Sequence, residues 1–156
     1  IGDVGELALK SAANMRCYLN KDNETSEVLK DGWLYTGDLA KIDKNELITL
    51  VDRKKNIIIR GGENISAQEV QTVILDHPDV IEAAIFALPN KRLGEIVGAC
   101  VFCGETSNAD EDSLKEFLRK SLAAYKIPEH IWFKKKPLPR VASEKIDVEA
   151  LKKEYS

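Results

Sequence analysis

The sequence has 156 residues, 44% hydrophobic and 31% charged, the balance of an ordinary globular chain of one domain, or one domain and part of another. Its formal net charge of −3 gives no sign of nucleic-acid binding. No run approaches the roughly 18 apolar residues of a transmembrane segment, and no signal peptide opens the chain.

The chain starts at Ile1 rather than Met and reads as a piece of something longer. Residues up to about 51 read as β-rich: GELALK alternates apolar and polar, NKDNETSE reads as a loop, and DGWLYTGDLAKID carries two turn signals, Asp31-Gly32 and Gly37-Asp38. KNELITLVDR follows as a hairpin arm with Leu47, Ile48, Leu50 and Val51 as strand formers. The charged DRKKN breaks the apolar pattern and places a domain boundary near Lys55, with domains at 1–54 and 55–156. A strand at Ile57–Ile59 and a Gly61-Gly62 turn come next. Ser66-Ala67-Gln68-Glu69 reads as a capping box opening a helix with Val70, Val73 and Ile74 on one face, which stops before His77-Pro78. VIEAAIFAL and IVGACVFC read as two buried strands. Leu114, Phe117, Leu118 and Leu122 recur at helical spacing; HIWFK reads as a short strand; PLPRVASEK is a loop leading to a last helix from about Asp147. Strands and helices in mixed order predict an α+β domain of about 100 residues.

Cys100 and Cys103 form a C-x-x-C spacing, but residues three apart on a strand point to opposite faces, and no further Cys/His pair completes a metal set. Cys17, Cys100 and Cys103 therefore read as reduced thiols, no metal site is expected, and a cytoplasmic location is the default, with peripheral membrane association left open. Residues 115–156 hold eleven Lys and Arg against six Asp and Glu, which suits a phosphate-rich ligand and equally a solvated charged face.

Four stretches carry candidate chemistry. Asp38, on the turn Tyr35-Thr36-Gly37-Asp38, is placed to accept from a vicinal diol such as ribose, although a plain Asx-turn also accounts for it. Arg60-Gly61-Gly62-Glu63-Asn64 lets a thin ligand or another backbone come close, and it is not a P-loop. Lys145, at the end of a proline-containing loop, can deliver a positive charge to a phosphate or oxyanion, or be a surface lysine. Leu122-Ala-Ala-Tyr125-Lys126-Ile-Pro128 also reads simply as a helix end broken by proline. His77 and His130 read as structural or surface residues.

In order and spacing these stretches resemble the adenylate-forming superfamily of acyl-CoA synthetases, peptide-synthetase adenylation domains and luciferases. GELALK with CYL resembles the segment before its hinge, GWLYTGDLAKID its ribose-binding motif, and DRKKNIIIRGGENISAQEV its hinge motif. LAAYKIP and PLPRVASEKID resemble its last two motifs, so the resemblance covers essentially the whole chain. It implies the small mobile C-terminal α+β domain of that fold, preceded by the β-rich end of the large N-terminal domain. Asp38 would bind the ribose of ATP, with Tyr35, Thr36 and Arg53 beside the nucleotide. Lys55 would be the hinge; Gly61, Gly62 and Asn64 would lie along the coenzyme A tunnel; Lys145 would be the catalytic lysine of adenylation. Two positions depart from the pattern: Glu144 stands where the family most often has glycine, and Cys17 replaces a small residue before Tyr18.

The implied reaction joins a carboxylic acid to CoA at the expense of ATP, through an acyl-adenylate, and the Tyr-Lys-Ile-Pro and Gly-Gly-Glu-Asn variants look most like fatty acyl-CoA synthetases. The phosphate-binding loop, the acyl pocket and the Mg2+ ligands are expected upstream, so this chain alone is expected to be inactive and to need its own N-terminal domain as partner. Rival readings are a ligase loading amino or aryl acids onto a carrier protein, a non-catalytic binding module of the same fold, and a luciferase-like oxygenase.

Overall fold

A computed structural model describes residues 2–104 and 107–155. It divides into two units, Ile1–Lys55 and Asn56–Ser156, and the chain passes from one to the other within a single 3-10 turn, Lys54–Asn56.

In the first unit, β1 (Val4–Leu9), β2 (Leu29–Lys30), β3 (Trp33–Ile42) and β4 (Ile48–Arg53) form an antiparallel sheet with β3 at its centre. Asp31 and Gly32 both take positive φ and make the two-residue turn between β2 and β3. Two expectations are corrected here. The polar stretch read as a loop contains a helix, α1 (Asp22–Val28). It has no apolar face to betray it; Asp22 and Glu24 favour its positive N-terminal end, and the Thr25 hydroxyl, which donates to the Lys21 carbonyl, ties it to the backbone N–H of Tyr18. Gly37-Asp38 is not a turn but part of a bulge inside β3: Thr36, Gly37 and Asp38 oppose the single Leu7 of β1. A glycine at φ +74° permits the kink, and the Thr36 hydroxyl donates to the Leu7 carbonyl at 2.9 Å while accepting from the Asp38 N–H at 3.1 Å.

The second unit begins with the hairpin β5 (Ile57–Arg60) and β6 (Glu63–Ser66), closed by Gly61 and Gly62 at φ +60° and +92°, the primed turn that matches strand twist. Ser66 ends β6 and caps α2 (Ala67–Leu75), accepting from the Glu69 N–H at 3.0 Å. The long strands β7 (Val80–Asn90) and β8 (Gly94–Cys103) pair antiparallel, β5 joins β8 at Arg60–Gly94, and β9 (His130–Lys134) lies parallel to β8 after α3 (Glu111–Arg119). Helix α4 (Val148–Tyr155) closes the chain. Asp110 and Ser113 form a full capping box on α3 that the sequence reading passed over, and α3 ends before Leu122, which is nonetheless buried.

The continuous apolar runs of β7 and β8 follow from burial on both faces. Ala83, Ile85, Val97, Ala99 and Val101 join one cluster with α2, α3, Ile58 and Ile65. Ala84, Phe86, Leu88, Ile96 and Cys100 join a second with Leu138 and Leu151. The two cysteines accordingly face apart, and burial pushes the Cys100 thiol up from 9.0 to about 11. No helix among the described residues is long and apolar enough to cross a membrane.

Candidate functional site

The candidate residues fall into three groups. The first belongs to the small sheet. The bulge in β3 turns Asp38 toward its register partner Arg53 on β4, whose Nε donates to Asp38 Oδ1 at 3.0 Å. Both side chains are solvent-accessible, so this pair adds little stability; what it fixes is the direction of the carboxylate. A carboxylate held beside a guanidinium is a donor–acceptor set that suits a ribose next to a phosphate. Tyr35 is partly exposed on the same strand with the Lys30 ammonium 5.8 Å from its ring centre, and Thr36 is spent on the bulge itself. At the end of β4, Lys54 donates to Glu6 at 2.8 Å. That hydrogen bond holds the Glu6 carboxyl below its usual value against the opposing effect of burial. Lys55 follows, exposed, in the 3-10 turn.

The second group is the β5–β6 hairpin. Ile58 and Ile65 point into the core at 1% and 0% exposure, so their neighbours Ile59 and Asn64, directly paired across the strands, face outward. Gly61 is held by its N–H, which donates to the Leu93 carbonyl at 2.8 Å. A Cβ at Gly62 would meet nothing within 4 Å, so a thin extended ligand has room to lie against this turn. Lys126, in the 3-10 turn Ala124–Lys126, donates to both oxygens of Glu69 at 2.7 Å and ties the YKIP stretch to the start of α2.

The third group is the loop after β9. Arg140 bridges to Ile146, the Glu144 N–H donates to the Val141 carbonyl, and the Val141 N–H donates to the Lys145 carbonyl, both at 2.9 Å. This is a tight hairpin of a type I turn followed by a left-handed residue, and that residue is Glu144, at φ +62°. Glycine is the natural occupant of such a position on steric grounds. Glu144 and Lys145 are both exposed, and among the described residues no ion pair joins them.

Strand register places the anchors of the second and third groups toward opposite ends of β8. Arg60, beside the Gly61-Gly62 turn, pairs with Gly94 at one end of β8. Glu82, which anchors the Lys145 loop through Leu138 and Arg140, pairs with Phe102 at the other end. Eight residues of extended strand separate those ends by about 27 Å. Sequence reasoning found both stretches but missed this anchor; a lone carboxylate inside VIEAAIFAL was the signal. His77 accepts from the Asp79 N–H and packs edge-on against Phe117, while His130 stacks on Trp132, structural roles in both cases. Among the described residues no three His, Cys, Asp or Glu side chains converge as a metal site.

Residues 69–145 match the family model described as AMP-binding enzyme C-terminal domain. The chain is 40% identical, over 91% of its length and 25% of the relative's, to a long-chain-fatty-acid–CoA ligase of Bacillus subtilis. It is 39% identical, over 92% of its length and 25% of the relative's, to a peroxisomal trans-cinnamate:CoA ligase of Petunia hybrida. Among solved structures it superposes on o-succinylbenzoate CoA synthetase from Bacillus subtilis, in complex with its acyl-adenylate intermediate, with a TM-score of 0.86 and 33% identity, covering 96% of this chain and 30% of that one. The chain thus spans about a quarter of the length of the curated relatives it matches. With that sequence match and that superposition, the chain belongs to the adenylate-forming enzymes and carries their C-terminal domain.

Proposed function

We propose that this chain is the C-terminal part of an ATP-dependent acyl-CoA synthetase, acting on a fatty acid in the cytoplasm, in which the second unit serves two half-reactions in turn. The observation that carries this reading is the separation along β8: the Lys145 loop and the open Gly62 turn hang from opposite ends of one doubly buried strand. A rigid element of about 27 Å cannot bring both ends to one reaction centre at once. It can present them successively by turning about a hinge, for which the exposed Lys55 between the two units is the candidate.

In the first half-reaction the acid's carboxylate attacks the α-phosphorus of ATP and pyrophosphate leaves. Such a displacement is governed by positioning and charge stabilisation, and an exposed ammonium on a hairpin, that of Lys145, supplies charge to the phosphate and carboxylate oxygens. Asp38, oriented by Arg53, accepts from the ribose hydroxyls, with Tyr35 and Thr36 on the same strand. In the second, the sulfur of CoA attacks the acyl-adenylate carbonyl and AMP leaves, with the pantetheine arm along Gly61, Gly62 and Asn64. The nucleotide's phosphate loop, the acyl pocket and the Mg2+ ligands belong to the large N-terminal domain in this reading, and the chain by itself turns over no substrate.

The test uses the full-length enzyme with ATP, Mg2+, CoA and acids from acetate to palmitate, read by mass spectrometry. Lys145→Ala is expected to lower acyl-adenylate formation by at least about 100-fold. Gly62→Leu is expected to keep acyl-adenylate formation and lose the thioester. If the unmutated enzyme makes acyl-adenylate but no acyl-CoA, the acceptor is a carrier protein and the reading shifts to that class of ligase.

A further inference from the structure

Glu82 is the one charged residue in the run from Val80 to Leu88, and its side chain is only 14% exposed. A bulge puts it there. Val80 pairs with Cys103 and Glu82 with Phe102, so Ile81 is the extra residue, and the strand's facing flips by one. Val80 and Ala83 both enter the first apolar cluster, while Glu82 turns to the other face with Ala84, Phe86 and Leu88, toward Leu138.

There the carboxylate is fully engaged by the Lys145 loop. Oε2 accepts from the Leu138 N–H at 2.7 Å, and Oε1 accepts from Arg140 Nη2. The same guanidinium uses Nη1 to donate to the Glu144 carbonyl at 2.6 Å. The peptide that leads into Lys145 is thus held on one side by Arg140, and the Lys145 carbonyl is held on the other by the Val141 N–H.

We propose that Glu82 is a positioning residue for Lys145: by fixing the Arg140 fork it fixes the backbone from which the adenylating lysine departs. The proposal rests on the reading of Lys145 given above. Two arguments separate it from a purely stabilising role. A partly desolvated ion pair is commonly no better for stability than apolar residues of the same volume, so stability alone does not account for a carboxylate beside this cluster. The fork also reaches the carbonyl of the one residue in the loop with a left-handed backbone, Glu144, where a side chain makes the required conformation least favourable.

The experiment measures the two half-reactions of the full-length enzyme separately: acyl-adenylate from acid and ATP, and thioester from supplied acyl-adenylate and CoA. Glu82→Gln keeps an acceptor for Leu138 but loses the charge that holds the fork. It is expected to slow adenylation about 100-fold, the scale set by an ångström of misplacement. Thioester formation is expected to stay within about twofold of the unmutated enzyme, which also certifies the fold. In the Lys145→Ala background, Glu82→Gln is expected to cost nothing further, because both changes remove the same interaction. Equal losses in both half-reactions, additive losses in the double variant, or no loss of adenylation would each overturn the proposal. Arg140→Lys keeps a charge for Glu82 but lacks the second arm for the Glu144 carbonyl; should Glu82→Gln not fold, the same split between half-reactions is expected from it, and its absence decides against the proposal. Failure of the functional reading looks different: the unmutated enzyme then forms no acyl-adenylate, or Lys145→Ala forms it undiminished, and the proposal falls with it.

Discussion

At the scale of single residues, Glu144 illustrates how a charge can mislead. In the sequence it is a carboxylate beside a candidate catalytic lysine; in the structure it is a backbone position, contributing a left-handed φ and a carbonyl for Arg140. Glu144→Gly should therefore remove about 1 kcal/mol of backbone strain. Roughly half of that is returned as extra freedom of the unfolded chain, leaving a net gain of about 0.5 kcal/mol. The gain is read as a rise in melting temperature, with the rate of adenylation retained; a loss of stability would mean that the Glu144 side chain makes contacts that matter. Residue identity was legible where the direction of a side chain along a strand decides it, as at the diverging Cys100 and Cys103. It was not legible where the side chain is incidental to a backbone conformation, nor at Glu82, whose partners lie more than 50 residues away in the chain.

At the scale of elements, local signals were read well where they are specific to one structure. Ser66 is an example: a cap at the entry to α2, found from four consecutive residues. Ser66→Ala is expected to lower the stability of the second unit by about 1 kcal/mol. In urea the transition should move to lower concentration without a change of slope, since the surface exposed on unfolding is unaltered. The cost is tertiary as well as local, because α2 seats Val70 and Ile74 in the first cluster and Glu69 against Lys126. Signals shared by two structures were misread. Gly-Asp marks a turn or a bulge, and only pairing with β1 decides for the bulge in β3. The helix α1 has no apolar period at all, so hydrophobic patterning had nothing to detect.

At the scale of the molecule, the two units differ in what they bury. Among the described residues the first unit has one buried hydrophobic, Ala40, and exposes Leu47, Ile48 and Leu50, whereas the second holds two apolar clusters around β7 and β8. Hydrogen exchange on the 156-residue chain should show amides of β3 and β4 exchanging at least about 100-fold faster than those of β7 and β8. Equal protection would mean that the first unit stands as a domain without further chain to cover it. The doubly buried β8 has a temporal meaning too. Under the proposed function it works as an escapement: one tooth is withdrawn by the same stroke that engages the other. The two chemistries then share no common instant, and the reactive mixed anhydride meets its thiol only after the pyrophosphate that could reverse its formation has lost its lysine. Order in time, usually attributed to affinities or to gates, would here be set by the length of a strand.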